Sequence, residues 1–341
     1  KKIFVILLFI SLAFSQSLIK KLRVPVYIKF QTGLGYDSNF LKLSDTEINE
    51  VSFYPSILGG AADASSYIVS NYINFNIKPH LISDYKSKIE LKIKYNKYFS
   101  ASHKSYGIYG VVISQNLGRY KWLKYSYSSM PNFYLRDYRD RDEVIVNQDS
   151  KEILKNCFFS QGSSTLSYSH PIPFKKTWIE LSANYKTQYY NPEFTEYDLE
   201  ILSYGLKINT KYLKKYFISF NLVQTDANNI TYNNGLSSTY SNNRGYLQDY
   251  FSFLFSKKNI NYAIFQEFGV KYSMHYRKFI SIHKLDLLHY QRKHEDSNID
   301  FWLIGNINSI IKYKLYFSKR NRMTFSEHDW VEELKGFNKF N

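Results

Sequence analysis

The sequence contains few residues that cross-link a chain or break regular secondary structure. Its 341 residues include one cysteine, seven prolines and 14 glycines. A single cysteine cannot form an intramolecular disulfide, which excludes a disulfide-stapled secreted scaffold. Beyond residue 15 no apolar run approaches the ~20 residues of a transmembrane helix. Acidic residues are also scarce, with 29 Asp and Glu against 45 Lys and Arg.

Aromatic residues, by contrast, are abundant. The chain contains 33 Tyr and 26 Phe, residue types that are enriched in β-strands. The apolar fraction of 44% is too high, and the charge too interspersed, for a disordered chain. The mean hydropathy of −0.40 excludes a helical membrane protein only, because the alternating faces of a transmembrane barrel average to a polar value.

The N-terminus has the features of a sorting signal. Two lysines precede an apolar run over residues 3–14, and Ala13 and Ser15 occupy the small-residue positions before a cleavage site. We therefore predict that residues 1–15 are a cleaved signal peptide and that the chain is secreted across the inner membrane. No cysteine follows the run, so a lipoprotein anchor is not available.

Period-two alternation recurs along the rest of the chain. Between Thr177 and Tyr189, for example, one face carries Ile179, Leu181, Ala183 and Tyr185, and the other carries Glu180, Ser182, Asn184 and Lys186. The same alternation is found in residues 28–36, 88–95, 202–209, 216–222 and 251–255. Such segments predict half-buried β-strands.

The segments between these strands favour a barrel over a soluble sandwich. All seven prolines are predicted at strand ends, turns or loops, as a continuously paired sheet requires. Connections alternate between short ones, near residues 117–119, 170–176, 211–215 and 256–259, and long polar ones at 37–65, 131–151 and 225–245. This asymmetry is typical of bacterial outer-membrane barrels. Aromatic residues at strand ends are expected to form two interfacial girdles: Tyr36, Tyr98, Tyr120, Trp122, Trp178 and Tyr189.

We therefore predict an all-β protein in which residues 24–341 form a single antiparallel up-and-down transmembrane β-barrel. The expected strand number is about 14. Twelve or 16 strands remain open, because Ile280–His283 fits either a strand or a long loop between residues 278 and 298. The final strand is expected to be incomplete at Asn341. A soluble alternative would need two sandwiches and a linker, and no Pro/Gly/Ser-rich linker is found.

The segment from Gly33 to Phe40 resembles the G-x-G-Y-D-S-N motif in the first strand of several bacterial outer-membrane barrels. The matching residues are Gly33, Gly35, Tyr36, Asp37, Ser38 and Asn39. Some of those barrels follow helical-repeat domains in export or surface-assembly systems; here the first strand begins soon after the signal peptide. The resemblance implies an outer-membrane barrel. On their own chemistry, the glycines permit strand curvature and Asp37–Asn39 begins a polar turn.

Several charged residues fall on the polar face of the predicted strands and are expected to line the lumen: Lys29, Lys88, Glu90, Lys92, Lys94, Glu180, Lys186 and Lys207. Two explanations of the excess lysine stay open. It either gives the lumen a cationic character that favours anionic solutes, or it is polar filler favoured by an AT-rich genome.

The sequence offers no convincing enzyme, cofactor or metal site. The segment His294–Asn298 invites comparison with outer-membrane phospholipases, but two residues separate its His from Ser297, which would place them on opposite faces of a strand. We predict a turn there. The alternating charges of residues 136–143 fit a solvated loop, a constriction folded into the barrel mouth, or a weak Ca²⁺ site.

These patterns predict a passive channel or transport pore in the outer membrane of a Gram-negative-type bacterium. Its partners would be outer-membrane lipids, small solutes and, during biogenesis, the barrel-assembly machinery, with no nucleic acid and no cofactor. The alternative is a non-conducting surface or scaffold barrel in an export or envelope-assembly system.

Overall fold

The computed structural model describes residues 26–80, 85–139, 154–174, 176–213, 215–232, 242–262, 265–307 and 311–341. The predicted signal peptide and residues 140–143 of the charged segment lie outside these ranges, as does most of the predicted loop after residue 232.

Fourteen β-strands dominate the described chain. They are β1 Tyr27–Asp37, β2 Ser66–Ile77, β3 Ser87–Tyr98, β4 Tyr106–Gly118, β5 Lys121–Arg139, β6 Leu154–Pro171, β7 Thr177–Tyr190, β8 Leu199–Tyr212, β9 Tyr216–Asn229, β10 Tyr246–Tyr262, β11 Phe265–Phe279, β12 Lys293–Asn306, β13 Lys312–Phe325 and β14 Phe337–Phe340. The α-helices are α1 Asp45–Glu50 and α2 Asp329–Lys335, and short 3₁₀ helices cover Pro55–Leu58, Ser102–Lys104 and Pro192–Tyr197. Neither α1 nor α2, nor any other helix in the described ranges, has the length and apolar content to span a bilayer.

Each strand pairs antiparallel with its successor, in the order β1 to β14. The barrel is nearly closed where β14 approaches the end of β1: the Ser38 amide donates to the Phe340 carbonyl at 3.1 Å, and the Phe340 amide donates to Ser38 Oγ at 2.9 Å. The all-β, up-and-down barrel and the strand number of 14 are therefore confirmed. Ile280–His283 belongs to the connection between β11 and β12.

Alternation along each strand separates an inner from an outer face. On β7, Leu181 and Tyr185 point outward and are 52% and 46% exposed, whereas Glu180 and Lys186 line interior cavities. The same outward exposure is seen for apolar residues all around the barrel, including Ile93, Ile113, Leu166, Leu206, Leu222, Phe253, Phe301 and Leu315. A continuous apolar exterior of this extent is stable in contact with lipid rather than water.

The connections at the two ends of the barrel differ, but some predicted boundaries were wrong. β5 continues to Arg139 and β9 to Asn229, well into the predicted long loops. Pro131 lies inside β5, where the pairing with β6 shifts register between Met130 and Phe133. A β-bulge of this kind accommodates a residue that cannot donate to the ladder. The predicted turn at residues 294–298 is part of β12.

Buried apolar side chains are concentrated at the long-loop end. The connection from β1 to β2, residues 38–65, is called loop 1 below. Its Phe40, Leu41 and Leu43 pack with Tyr98 and Tyr134 of the barrel wall. Loop 1 thus folds into the mouth instead of standing away from it, and it positions charged groups inside the barrel.

Part of the predicted aromatic girdles lies inside the barrel. Tyr36 and Tyr189 are exposed, as expected for the outer face. Tyr98 is buried beside Phe40, with ring centroids 5.6 Å apart. Trp122 and Trp178 have the inward parity of their strands, and Trp178 stacks on Tyr120 with ring centroids 4.8 Å apart.

Candidate functional site

The main interior space is a cavity of about 940 Å³ at the long-loop end. Inward residues of the strands, loop 1 and the C-terminal segment surround it. Its described lining includes 11 basic side chains: Lys42, Lys104, Arg136, Lys186, Arg244, Lys271, Arg277, Arg320, Arg322, Lys335 and Lys339. Among these lining residues Asp296 is the one carboxylate. The cavity is therefore strongly cationic.

A carboxylate holds two of the arginines against the wall between β12 and β13. Asp296 accepts from Arg322 Nε at 2.5 Å and from Arg322 Nη2 at 2.7 Å. Arg320 Nη2 donates to the same carboxylate. Strand alternation explains this geometry, because Asp296 lies opposite Arg322 in the register and Arg320 is two residues away on the same face. One negative charge is thus shared by two guanidinium groups.

Two further arginines are held by neutral groups. Arg277 donates from Nε and Nη2 to Gln248 Oε1, at 3.0 and 2.8 Å, and its guanidinium lies 3.9 Å from the ring centroid of Tyr246. Arg244 donates to the Tyr190 hydroxyl and lies 5.0 Å from the centroid of that ring. Hydrogen bonds and cation–π contacts orient these side chains without neutralising their charge.

Loop 1 presents Lys42 to the cavity and is fastened to the wall by an ion pair. Leu41 and Leu43, on either side of Lys42, are buried, whereas Lys42 itself is exposed to the cavity. Although the side chain is accessible from the cavity, the protein packed around the mouth desolvates its ammonium group, and nearby cations act in the same direction, so the pKa of Lys42 is held well below its usual value. In α1 of the same loop, Glu47 Oε1 accepts from Arg136 Nη1 of β5 at 2.7 Å.

The D-S-N part of the first-strand motif connects the two ends of the sheet. Asp37 Oδ1 accepts from the Asn39 amide at 3.1 Å, and Asp37 Oδ2 pairs with Lys339 Nζ of β14 at 2.5 Å. Asn39 Nδ2 donates to the Leu43 carbonyl at 2.8 Å and to the Asn338 carbonyl at 3.3 Å. These contacts place the motif at the closure of the barrel and at the entry to loop 1.

The motif glycines have a less specific setting. Cβ atoms added at Gly33 and Gly35 would meet nothing within 4 Å, and neither residue has a positive φ. The structure therefore does not show that glycine is required at these two positions for the strand to curve. Tyr36, between the two parts of the motif, packs on Tyr67 of β2 with ring centroids 5.3 Å apart.

A smaller interior cavity of about 220 Å³ lies toward the short-turn end. Its polar lining includes Lys124, Glu180 and Lys207. Val223 borders both this space and the main cavity. Interior space therefore extends along the barrel on both sides of Val223.

The charged residues that the sequence placed in the lumen occupy three settings. Lys186 lines the main cavity, and Glu180 and Lys207 line the smaller one. Lys88 and Lys92 pair with Glu90 on β3, at 3.0 and 3.7 Å, and the Asn74 side chain also donates to Glu90 at 3.1 Å. Lys29 on β1 and Lys94 on β3 are exposed.

Sequence reasoning missed most of the cationic cavity. Alternation on β11 and β13 could have identified Lys271 and Arg277, and Arg320 and Arg322, as same-face pairs. No periodic signal could have found Lys42, because loop 1 has no strand pattern.

The segment that resembles a phospholipase site does not assemble one. His294 is buried on the inner face of β12, and Ser297 has the opposite parity. The described residues also contain no group of three His, Cys, Asp or Glu side chains arranged to hold a metal ion.

Neither a protein-family model nor a curated protein matches this chain. Solved structures that align with it include OprD of Pseudomonas aeruginosa, with 7% identity over 94% of this chain and 95% of that chain and a TM-score of 0.36. An anion-selective porin from Comamonas acidovorans aligns with 8% identity over 93% and 97%, at a TM-score of 0.38. OccD3 of P. aeruginosa aligns with 8% identity over 92% and 89%, at 0.39. The fold assignment rests on the strand pairing of this chain.

Proposed function

We propose that this barrel is a passive outer-membrane pore for small anionic solutes. The observation that carries the proposal is the charge of the main cavity, where the described lining has 11 Lys and Arg side chains and one carboxylate around a space of about 940 Å³. Such a cavity concentrates anions, because low-dielectric walls focus the field of like charges into the space between them.

Permeation would combine charge selection with a size limit. Arginines oriented by Gln248, Tyr246 and Tyr190 keep N–H donors available to replace part of an anion's hydration shell. Loop 1 narrows the mouth by placing Phe40 and Leu41 inside it. Because several cations line the cavity, an anion can pass from one to the next on its way through the barrel.

The membrane location is supported by the outer face. Apolar side chains on that face are exposed on successive strands, from Ile93 on β3 to Leu315 on β13. Bacterial barrels place such a band against lipid tails and leave the polar face for the lumen. Insertion into the outer membrane would follow secretion and require the assembly machinery that such barrels use.

The proposal is tested by single-channel recording in a planar bilayer with a KCl gradient. We expect stepwise conductance and a reversal potential of the sign set by chloride. A reversal potential set by potassium would contradict the cationic-lumen mechanism. Absence of conductance in protein shown to be inserted and folded would contradict the pore itself.

The second candidate is a non-conducting scaffold barrel, and the docked loop 1 favours it. Substitution of Glu47 by Gln removes the charged partner of Arg136, at a cost of about 1.5–3 kcal/mol to loop docking. If loop 1 is a plug, conductance should appear only in Glu47→Gln. If the barrel is a pore, both proteins should conduct, and the variant should show larger or noisier steps. Glu50→Gln, an exposed position on the same helix, is the matched control.

A further inference from the structure

We propose that Lys42, together with Arg320, Arg322 and Lys339, forms a binding site for a multivalent tetrahedral oxyanion of the phosphate class. The inference deepens the proposed pore function and rests on it. It names a discrete site at the mouth rather than a diffuse cationic lumen.

The backbone of Lys42 has an unusual conformation. This residue has φ of 56°, in the left-handed region that side chains other than glycine rarely adopt. Its neighbours hold it there: Leu41 and Leu43 are buried, and the Asn39 side chain accepts from the Leu43 amide at 2.8 Å. A conformation that is unfavourable for a lysine is therefore maintained, and its result is a lysine that lines the cavity.

Basic side chains outnumber carboxylates around Lys42. Lys104, Arg320, Arg322 and Lys339 line the same cavity as Lys42. Together they make five basic groups. The carboxylates paired within this set are Asp296, with Arg320 and Arg322, and Asp37, with Lys339. Arg320, Arg322 and Lys339 exceed these two carboxylates by one positive charge. A bound anion favours the protonated forms of Lys42 and Lys104, and the excess is then three positive charges, more than a single monovalent anion can neutralise.

Lys42 differs from its cationic neighbours in its hydrogen-bonding and ionic partners. The Lys104 ammonium donates to the carbonyls of Tyr134 and Leu135 at 2.7 and 3.1 Å. Each of the other three contacts a carboxylate. Within the described part of the chain, Lys42 is the member of this set whose ammonium has neither kind of partner.

Together these features fit an oxyanion with at least two negative charges. A tetrahedral anion presents several acceptor oxygens, so it can bind the Lys42 ammonium and the remaining N–H donors of Arg320 at the same time. The alternative is a lysine that is only hydrated in the cavity. That alternative does not explain the strained backbone of Lys42. Nor does it explain why Arg320 and Arg322 share one carboxylate, Asp296, which cannot neutralise both charges.

The test is block of chloride current at pH 7 in the reconstituted full chain. Sulfate, inorganic phosphate and a sugar monophosphate are added at constant ionic strength, with nitrate as the monovalent comparison. We expect the divalent anions to reduce the current at concentrations where nitrate does not. Stronger block by the sugar phosphate would assign the site to phosphorylated solutes, and equal block to the free oxyanion.

Variants separate this site from the general charge of the lumen. Lys42→Gln should weaken sulfate block by about 10- to 100-fold, the loss expected for one charge-assisted hydrogen bond. Lys42→Arg should keep it. Lys207→Gln removes the same charge from the smaller cavity and should change the block by less than about twofold. Equal effects of Lys42→Gln and Lys207→Gln, or no effect of either, would overturn the site.

A binding measurement keeps the two proposals distinguishable. Isothermal titration of the detergent-folded protein with inorganic pyrophosphate does not depend on conduction. Binding that is lost in Lys42→Gln, in a barrel that does not conduct, would support the site and contradict the pore. Anion-selective conduction without Lys42-dependent binding or block would support the pore and contradict the site.

Discussion

Asp296 is the position where a single substitution should most disturb the wall of the cavity. Its carboxylate accepts from Arg322 at 2.5 and 2.7 Å and also binds Arg320. Asp296→Asn keeps the size of the side chain and removes the charge. The two guanidinium groups would then face each other across neighbouring positions without a counter-ion, and we expect the barrel to lose stability.

The magnitude follows from the burial of the three groups. Removing one partner of a buried ion pair costs about 3–5 kcal/mol, because the other charge is left uncompensated. The arginine side chains here are 32% and 18% exposed, while Asp296 is 7% exposed, so cavity water recovers part of that loss. We therefore expect a decrease of ~2–4 kcal/mol in the free energy of unfolding.

The assay is urea unfolding of the protein folded into short-chain lipid vesicles, followed by tryptophan fluorescence. Asp300→Asn is the matched control, four residues away on the same face of β12. Asp300 accepts from Asn298 Nδ2 at 2.9 Å and from the Tyr316 hydroxyl at 2.6 Å. The amide oxygen of an asparagine can accept the same two hydrogen bonds. Its cost should stay near 1 kcal/mol. Equal losses in the two variants would refute the reasoning that charge at Asp296 stabilises the wall.

Two other perturbations have defined outcomes. Burial, helped by Lys339 and opposed by Asp37, lowers the pKa of Lys104 to about 7, so this lysine loses its charge as pH rises from 6 to 9. Sulfate, whose charge is constant in that range, should block the current less at pH 9 than at pH 6. The difference between the two pH values should be smaller in Lys104→Met. Equal pH dependence in the two proteins would contradict a contribution of the Lys104 charge to sulfate block. Gly59→Ala should lower the free energy of unfolding by roughly 1–3 kcal/mol more than Gly60→Ala does. Both glycines have positive φ, but a Cβ at Gly59 would lie 2.1 Å from the hydroxyl of buried Tyr134, whereas one at Gly60 would meet nothing within 4 Å; equal losses in urea unfolding would contradict the clash.

Period-two alternation predicted the strands because each strand separates two different environments. Leu181 and Glu180 differ by one position and lie on opposite faces, so a one-residue error in register would exchange lipid-facing and interior groups across the strand. The pattern also contained information that the girdle prediction did not use. Trp178 has the same parity as Glu180, and Trp122 the same parity as Lys124, which assigns both tryptophans to the interior.

The cavity was harder to predict because its architecture depends on a loop. Residues 38–65 enter the mouth through contacts with distant strands. Glu47 pairs with Arg136, and Leu43 packs in the cluster that contains Tyr98 and Tyr134. Such contacts have no sequence period.

The extent of β5 was also not predictable from a simple rule. The strand continues through Pro131 because a β-bulge removes the need for a backbone amide hydrogen at that position, and a rule that keeps proline out of strands cannot anticipate a bulge.

The proportion of arginine to lysine in the cavity helps to decide between the two explanations of its positive charge, anion selectivity and AT-rich coding. If AT-rich coding alone supplied polar filler, lysine would dominate every polar position in the chain. The sequence contains 35 lysines and ten arginines, yet the lining formed by the described residues has six lysines and five arginines. Half of all the arginines are thus gathered in one space of about 940 Å³. Arginine offers a fixed fork of donors to an anion and remains charged beside other cations, where a lysine more readily loses its proton. The concentration of the rarer cation at this one place therefore favours selection for anion contact over coding bias.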